Sequence, residues 1–222
     1  MDREIHSLIE PGGTVVLADG RFPQAELARR YLFKAKRVIC CDGAVGKLQE
    51  CQLVPSVIIG DMDSISRELK HKYADRIVEI SEQETNDLTK AINWAADNDT
   101  QELVLLGAAG KRIDHTIGNA SLLAEHCGLM SLMMVTDEGF LVPVTETTTF
   151  SSRPGQQISV FSLNNDTRYT SRGLKYPLDN TQLSSWWSGS LNEAVSDSFT
   201  LELDSGTTLV YLDMPDNEAI AE

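Results

Sequence analysis

Between residues 13 and 135 six short apolar runs alternate with five helical patterns, and few architectures can accommodate that order. The runs are GTVVLAD, RVICC, PSVIIG, RIVEI, ELVLLG and SLMMVT. Between them lie PQAELARRYLFKA, GAVGKLQE, SRELKHKY, DLTKAINWAADN and IDHTIGNASLLAEHC. Strands that alternate with helices build an α/β layer with a mostly parallel sheet, because each helix carries the chain back to start the next strand in the same direction. Leu88, Ala91, Ile92, Ala95 and Ala96 recur at helical spacing, as do Ile113, Ile117, Ala120, Ala124 and Cys127.

Beyond about residue 140 the helical period stops. Short alternating segments follow, punctuated by turn residues such as Arg153-Pro154-Gly155 and Asp204-Ser205-Gly206. Phe199, Leu201 and Leu203 share one strand face, and Thr207 to Asp213 reads as the hairpin partner of that strand. The expected architecture is an N-terminal α/β domain over 1–140 and a C-terminal antiparallel β domain over 141–222, packed together without a long linker. A length of 222 residues suits one large or two modest domains.

Charge narrows the partners. A formal charge of −14 disfavours nucleic acid, whose phosphate backbone requires clustered Lys and Arg. An acidic protein that binds a polyphosphate needs positive charge from elsewhere, and a divalent cation supplies it. Cys40, Cys41, Cys51 and Cys127 have no C-x-x-C spacing, so free thiols and no zinc site are expected. No run approaches the roughly 18 apolar residues of a membrane span, and the opening residues lack a signal-peptide pattern, which points to a cytoplasmic protein without membrane association.

Four polar clusters follow expected strands: Asp42-Gly43, Gly60-Asp61-Met62-Asp63-Ser64, Thr85-Asn86-Asp87, and Gly107 to Asp114. Ligands of open α/β sheets bind beyond the carboxyl ends of the strands, so all four clusters belong on one rim. On an extended backbone Asp61 and Asp63 point the same way, and two facing carboxylates repel unless a cation lies between them. Magnesium takes hard oxygen ligands of this kind; the same residues also suit a capped turn. Asp87 sits in the first turn of its helix, where an acid favours the dipole, with Lys90 on a neighbouring face as a phosphate contact or a surface partner. Gly107-Ala108-Ala109-Gly110-Lys111-Arg112 is a small-residue loop entering a helix, an anion cradle without the GK[ST] of a Walker loop. Arg112 there suits phosphate or a carboxylate such as Asp114, and His115 shares a helix face with Asn119.

Taken in order, Cys41-Asp42-Gly43-Ala44, Gly60-Asp61-Met62-Asp63-Ser64-Ile65, Gln83 to Lys90, Gly110 to His115, Gly173-Leu174-Lys175-Tyr176-Pro177-Leu178 and Gly189 to Glu193 resemble the motif series of thiamine pyrophosphokinases. The resemblance covers nearly the whole chain. It implies transfer of the β,γ-diphosphate of ATP to the hydroxyl of thiamine, giving thiamine diphosphate and AMP. It also implies a C-terminal β-sandwich that binds thiamine and a homodimer. Asp42, Asp61, Asp63 and Asp87 would form the acidic catalytic cluster, with Asp61, Asp63 and Asp87 as ligands of Mg2+. Gln83, Thr85, Asn86 and Lys90, the Arg112 and Asp114 pair, and His115 would contact the nucleotide region, while Tyr176 and Asn192 would lie near the vitamin. A thiazolium cation is attracted to an aromatic face, which makes Tyr176 the candidate; Trp186 and Trp187 fit a core or interface better. Two positions depart from the family: Lys111 stands where a second glycine is usual, and Leu191 where a hydroxyl is usual.

Two other readings fit parts of the sequence. An Asp-x-Asp after an apolar strand also opens the haloacid dehalogenase pattern, in which Asp61 would be a nucleophile; that leaves Asp42 and the Thr85-Asn86-Asp87 segment unexplained. A vitamin- or nucleotide-binding sensor would keep the pocket without turnover, yet it has no need for Asp61, Asp63 and Asp87 together.

Overall fold

A computed structural model describes residues 5–6 and 8–214. The chain forms two compact units. One is Ile9–Asp137; the other combines Met1–Leu8 with Glu138–Glu222. The sequence expectation placed residues 1–140 together, whereas β1 (Ile5–His6) pairs in parallel with β9 (Thr148–Ser151) of the later unit.

In the first unit the strands are β2 (Thr14–Leu17), β3 (Arg37–Cys41), β4 (Val57–Gly60), β5 (Ile77–Glu79), β6 (Glu102–Leu106) and β7 (Ser131–Val135). They lie in the order β7-β6-β2-β3-β4-β5, and every neighbouring pair is parallel. Val15, Val16, Leu17, Ile39, Cys40, Ile58, Ile59 and Leu103 to Leu106 are all buried. Such continuous apolar runs, without alternation, are what a sheet covered on both faces requires. Helices α1 (Glu26–Lys34), α2 (Val45–Glu50), α3 (Arg67–Lys72), α4 (Asp87–Asp97) and α5 (Ile113–His126) connect them. The chain runs outward from β2 to β5 and then returns to β6 on the other flank of β2. That reversal opens a crevice beyond the carboxyl ends of β2 and β6.

Helix α4 packs through Leu88, Ala91, Ile92 and Ala95, the face its spacing predicts. Burial of Leu88 or Ile92 stabilises the fold by about 1.5–3 kcal/mol each. The spacing through Ile113 and Ile117 is that of helix α5, but Leu122 and Leu123 are its buried residues, while Ile113 and Ile117 are 74% and 57% exposed. Periodicity identifies residues that share a face but not what covers it, and burial on α5 begins only at its third turn.

The second unit adds β8 (Gly139–Val144), β10 (Gln157–Ser162), β11 (Arg168–Arg172), β12 (Thr181–Gln182), β13 (Gly189–Glu193), β14 (Ser198–Leu203) and β15 (Thr208–Asp213). One layer runs β1-β9-β14-β11-β12 and the other β13-β10-β15-β8. Apart from β1 with β9, the paired strands are antiparallel. Phe150 and Phe199 stack at 5.1 Å within the first layer. The Tyr169 hydroxyl reaches Ser162 at 2.8 Å and Thr208 at 2.7 Å, joining the two layers through a buried polar cluster. The expected hairpin between residues 199–203 and 207–213 does not form: β14 pairs with β9 and β11, whereas β15 pairs with β8 and β10. Gly206 adopts φ 77°, and Thr207 N–H donates to Asn164 Oδ1 at 2.9 Å. The turn is thus tied to the 164 loop and carries the chain from one layer to the other.

Candidate active site

The loops after β2, β3, β4 and β6, together with the start of α4, gather at the carboxyl rim of the parallel sheet. Asp42 follows β3 and is buried. Its Oδ2 accepts the Ser64 N–H at 3.0 Å, while Oδ1 has no hydrogen-bond partner. Burial raises its pKa above the usual carboxylate range, the Ser64 N–H opposes that rise, and Asp63 and Asp61 add to it. A buried carboxylate oxygen without a donor is costly unless a cation meets it.

After β4 the backbone is not extended as the spacing suggested. Met62 adopts a left-handed φ of 65°, and Asp63 N–H donates to Asp61 Oδ1 at 3.2 Å. A non-glycine residue in that region costs about 1–2 kcal/mol. The Met62 side chain is buried, 4% exposed, so core packing holds the turn. The carboxylates therefore converge through a tight turn: ligand oxygens of Asp42, Asp61 and Asp63 all lie within 4.8 Å of one another. Ser64 Oγ donates to Asp63 Oδ1 at 2.7 Å, and Gln83 Nε2 donates to Asp61 Oδ2 at 2.9 Å. The Gln83 bond, seconded by the Asp63 N–H, holds the Asp61 pKa low, which keeps this acid ionised. Gly60 allows the crowding. A Cβ there would come 2.8 Å from Asp42 Cβ and 3.1 Å from Asp87 Cγ.

Asp87 is not one of that trio but stands beside it, against Gly60. Burial raises its pKa, Lys90 opposes the rise, and Asp42 and Asp61 reinforce it. Lys90 is buried rather than solvated, with Nζ 3.6 Å from Asp87 and 4.0 Å from Glu82. Asn86 caps α4 by accepting the Thr89 N–H at 2.8 Å, the usual work of an N-cap asparagine. Thr85 is bound to Glu82 through both its N–H and its hydroxyl.

On the β6 side, Arg112 forks onto Asp114 at 3.1 and 2.5 Å, and this pairing lowers the Asp114 pKa to about 2. The carboxylate is one of the two partners that the sequence position of Arg112 suits. Asn119 Nδ2 donates to Ala108 O at 2.7 Å and fastens the glycine loop to α5. A cavity of about 340 Å³ is lined by Asn86, Asp87, Gly107, Lys111, Arg112 and His115, among others. Tyr176 and Asn192 belong to the β unit and meet each other there: Asn192 Oδ1 accepts the Tyr176 N–H at 3.0 Å, and Nδ2 donates to Tyr176 O at 2.7 Å. The amide of Asn192 thus holds the Tyr176 backbone; the residue is 60% exposed, with Lys175 Nζ 5.9 Å from the ring centroid.

Two residues of this rim escaped the sequence reading. Asp19, beyond β2, lines the cavity and pairs with Lys111 at 3.1 Å; it obeys the same strand-end rule as the other four clusters. Glu82 accepts the N–H groups of Glu84 and Thr85 at 2.8 and 3.1 Å, organising the loop that presents Gln83. A carboxylate ahead of a short polar turn was its only sequence signal.

The chemistry of this donor set fits magnesium: three converging carboxylates, all oxygen, one with a partnerless buried atom. Comparison with known proteins bears on the substrate. The family profile described as thiamin pyrophosphokinase, catalytic domain, matches residues 28–133, and that described as thiamin pyrophosphokinase, substrate-binding domain, matches 139–211. Thiamine pyrophosphokinase 1 of Oryza sativa subsp. japonica is 26% identical over 89% of this chain and 85% of its own length. Thiamin pyrophosphokinase 1 of Caenorhabditis elegans is 27% identical over 68% of each chain. The crystal structure of thiamin pyrophosphokinase from Geobacillus thermodenitrificans superposes with a TM-score of 0.75 at 23% identity, covering 92% of this chain and 99% of that one, a likeness of fold.

Proposed function

Because the chain belongs to the thiamin pyrophosphokinase family, matching its catalytic and its substrate-binding profile in sequence, we propose that it transfers the diphosphate of ATP to the hydroxyl of thiamine in a magnesium-dependent reaction that yields thiamine diphosphate and AMP. The observation that carries the magnesium-dependent part is the convergence of Asp42, Asp61 and Asp63 within 4.8 Å, with Asp42 Oδ1 left partnerless. Asp61 and Asp63, with Asp42 behind them and Asp87 alongside, would hold the ion. When bound, magnesium draws charge from phosphate oxygens, the main demand of phosphoryl-type transfer.

The remaining tasks fall to side chains already placed. Gln83 orients Asp61, and Ser64 fixes both Asp42 and Asp63. Lys90 balances Asp87 inside the fold. The glycine loop and the start of α5 offer backbone N–H groups to an anion, with Arg112 and His115 on the cavity wall. The β unit, with Tyr176 exposed, is the part proposed to take the thiazolium and to mediate a homodimer. Exposed Trp186, Trp187 and Leu191 supply apolar surface there. Among the described residues no helix is long and apolar enough to cross a membrane. A cytoplasmic setting agrees with the free thiols of Cys40, Cys41, Cys51 and Cys127.

The test is product stoichiometry. Purified protein with thiamine, ATP and magnesium is expected to form AMP and thiamine diphosphate in equal amounts. Release of ADP or free phosphate, or indifference to thiamine, would reject the assignment, and a trapped phospho-aspartate on Asp61 would favour a stepwise phosphatase-like route.

A further inference from the structure

We propose that Lys111 is the cation that selects for a polyphosphate chain, and that Asp19 is its resting partner until the anion arrives. This rests on the nucleotide reading of the cavity given above.

The argument begins with how firmly each positive group is held. Two side chains of fixed positive charge, Lys111 and Arg112, line the 340 Å³ cavity. Arg112 is held by Asp114 through two hydrogen bonds of 3.1 and 2.5 Å; that pair is also exposed, at 72% and 57%, so its bidentate geometry and not burial is what holds it more firmly. Among the described residues Lys111 makes one ion pair, 3.1 Å to Asp19 Oδ2, between side chains 51% and 46% exposed. A solvated pair of that kind is weak, because water screens it and two long side chains must be ordered to make it. A polyphosphate offers several charged acceptor oxygens and a stronger charge-assisted bond, so Lys111 is the cation that can change partners at least cost.

Its backbone, in contrast, is fixed. The loops after β2 and β6 are joined by Gly20 N–H to Gly107 O at 2.6 Å and Arg21 N–H to Ala109 O at 2.7 Å. Gly110, at φ 89°, packs so closely on Arg21 that a Cβ would lie 2.6 Å from Arg21 Cβ. A loose terminal ammonium on a rigid base is a suitable arrangement for meeting an incoming anion.

The charge landscape agrees. Lys111 also lines an adjoining cavity of about 440 Å³, where Arg21 and Lys47 join it against the single acid Glu50. Lys111 stands on the wall common to both cavities.

The experiment compares wild type, Lys111→Ala and Lys111→Arg by direct titration with ATP and magnesium, and by competition with inorganic tripolyphosphate. Lys111→Ala is expected to weaken ATP and tripolyphosphate alike, by about 10-fold, with an unchanged melting temperature. Lys111→Arg should stay within about 3-fold of wild type, since it keeps the charge. Unchanged ATP affinity in Lys111→Ala would overturn the proposal. So would a loss confined to ATP, or an Arg variant as weak as the Ala variant, because either would give Lys111 a nucleoside-side or loop-shaping role. Wild-type protein that bound no ATP would instead reject the functional reading beneath it.

Discussion

The two ends of the rim beyond the parallel sheet treat charge in opposite ways. Around β4, Asp42, Asp61 and Asp63 face one another with no cationic side chain among them, and one buried oxygen has no donor at all. Around β6, Arg112 lies against Asp114 and Lys111 against Asp19. Folding alone favours the second arrangement. The first becomes favourable with a ligand of opposite charge, which is why the unbalanced end is the proposed cation site, whereas the paired groups of the other end are stable without one.

The largest test of this contrast removes a carboxylate from the unbalanced end. Asp63→Asn is expected to lower turnover by about 100-fold or more while leaving the protein folded. In wild type, magnesium at about 100 times its dissociation constant should stabilise the fold by about 2.7 kcal/mol, roughly 5–10 °C in melting temperature. In Asp63→Asn that shift should largely vanish. Unchanged turnover and an unchanged magnesium shift would move Asp63 out of the ion's shell.

A smaller effect is expected from crowding. Gly60→Ala would drive a methyl against Asp42 and Asp87, at 2.8 and 3.1 Å, costing about 1–3 kcal/mol by overpacking and misplacing both acids. Gly46→Ala in α2 meets nothing within 4 Å and should be neutral or slightly stabilising. Calorimetry of the pair would separate site crowding from a general cost of replacing glycine; equal melting temperatures would remove the crowding argument.

The smallest effects are acid-base, and their signs differ between the two ends. The raised pKa of Asp42 means that the folded protein holds this proton more tightly than the unfolded chain. Its contribution is present below the ordinary value of 3.8 and is lost as pH rises through the raised value. In the chelator-treated protein, Asp42→Asn should therefore be more stable than wild type at neutral pH, with the difference closing on acidification. Asp114 runs the other way. Its pKa is lowered to about 2, so its contribution is present above 3.8 and is lost as pH falls through about 2. Asp114→Asn should be slightly less stable than wild type at neutral pH, an exposed pair being weak. Melting curves across pH would contradict the comparison if both variants moved in the same direction.

Much of this was legible in sequence because the signals were local. Apolar runs such as RVICC and ELVLL became β3 and β6, and the strand-end rule brought Asp42, Asp61 and Asp87 to one rim. What escaped depends on distant parts of the chain. The layer change between β14 and β15 requires Asn164 to hold Thr207. The Asp19 partner of Lys111 is separated from it by nearly half the sequence. Ile113 and Ile117 carry a correct helical period on a face the fold leaves open. Between Asp61 and Asp63 the spacing was sound but its geometry was not, because alternation holds only for an extended backbone and Met62 is left-handed.

That methionine has a consequence for how such a protein changes over generations. Its thioether is a peg set in the core, and the twist it holds is a standing strain that glycine would relieve. Met62→Gly would relax the backbone but free the two flanking acids to wander. The packing lost with the thioether, about 2–5 kcal/mol, outweighs the strain relieved, about 1–2 kcal/mol, so robustness and turnover both favour a large apolar residue at position 62.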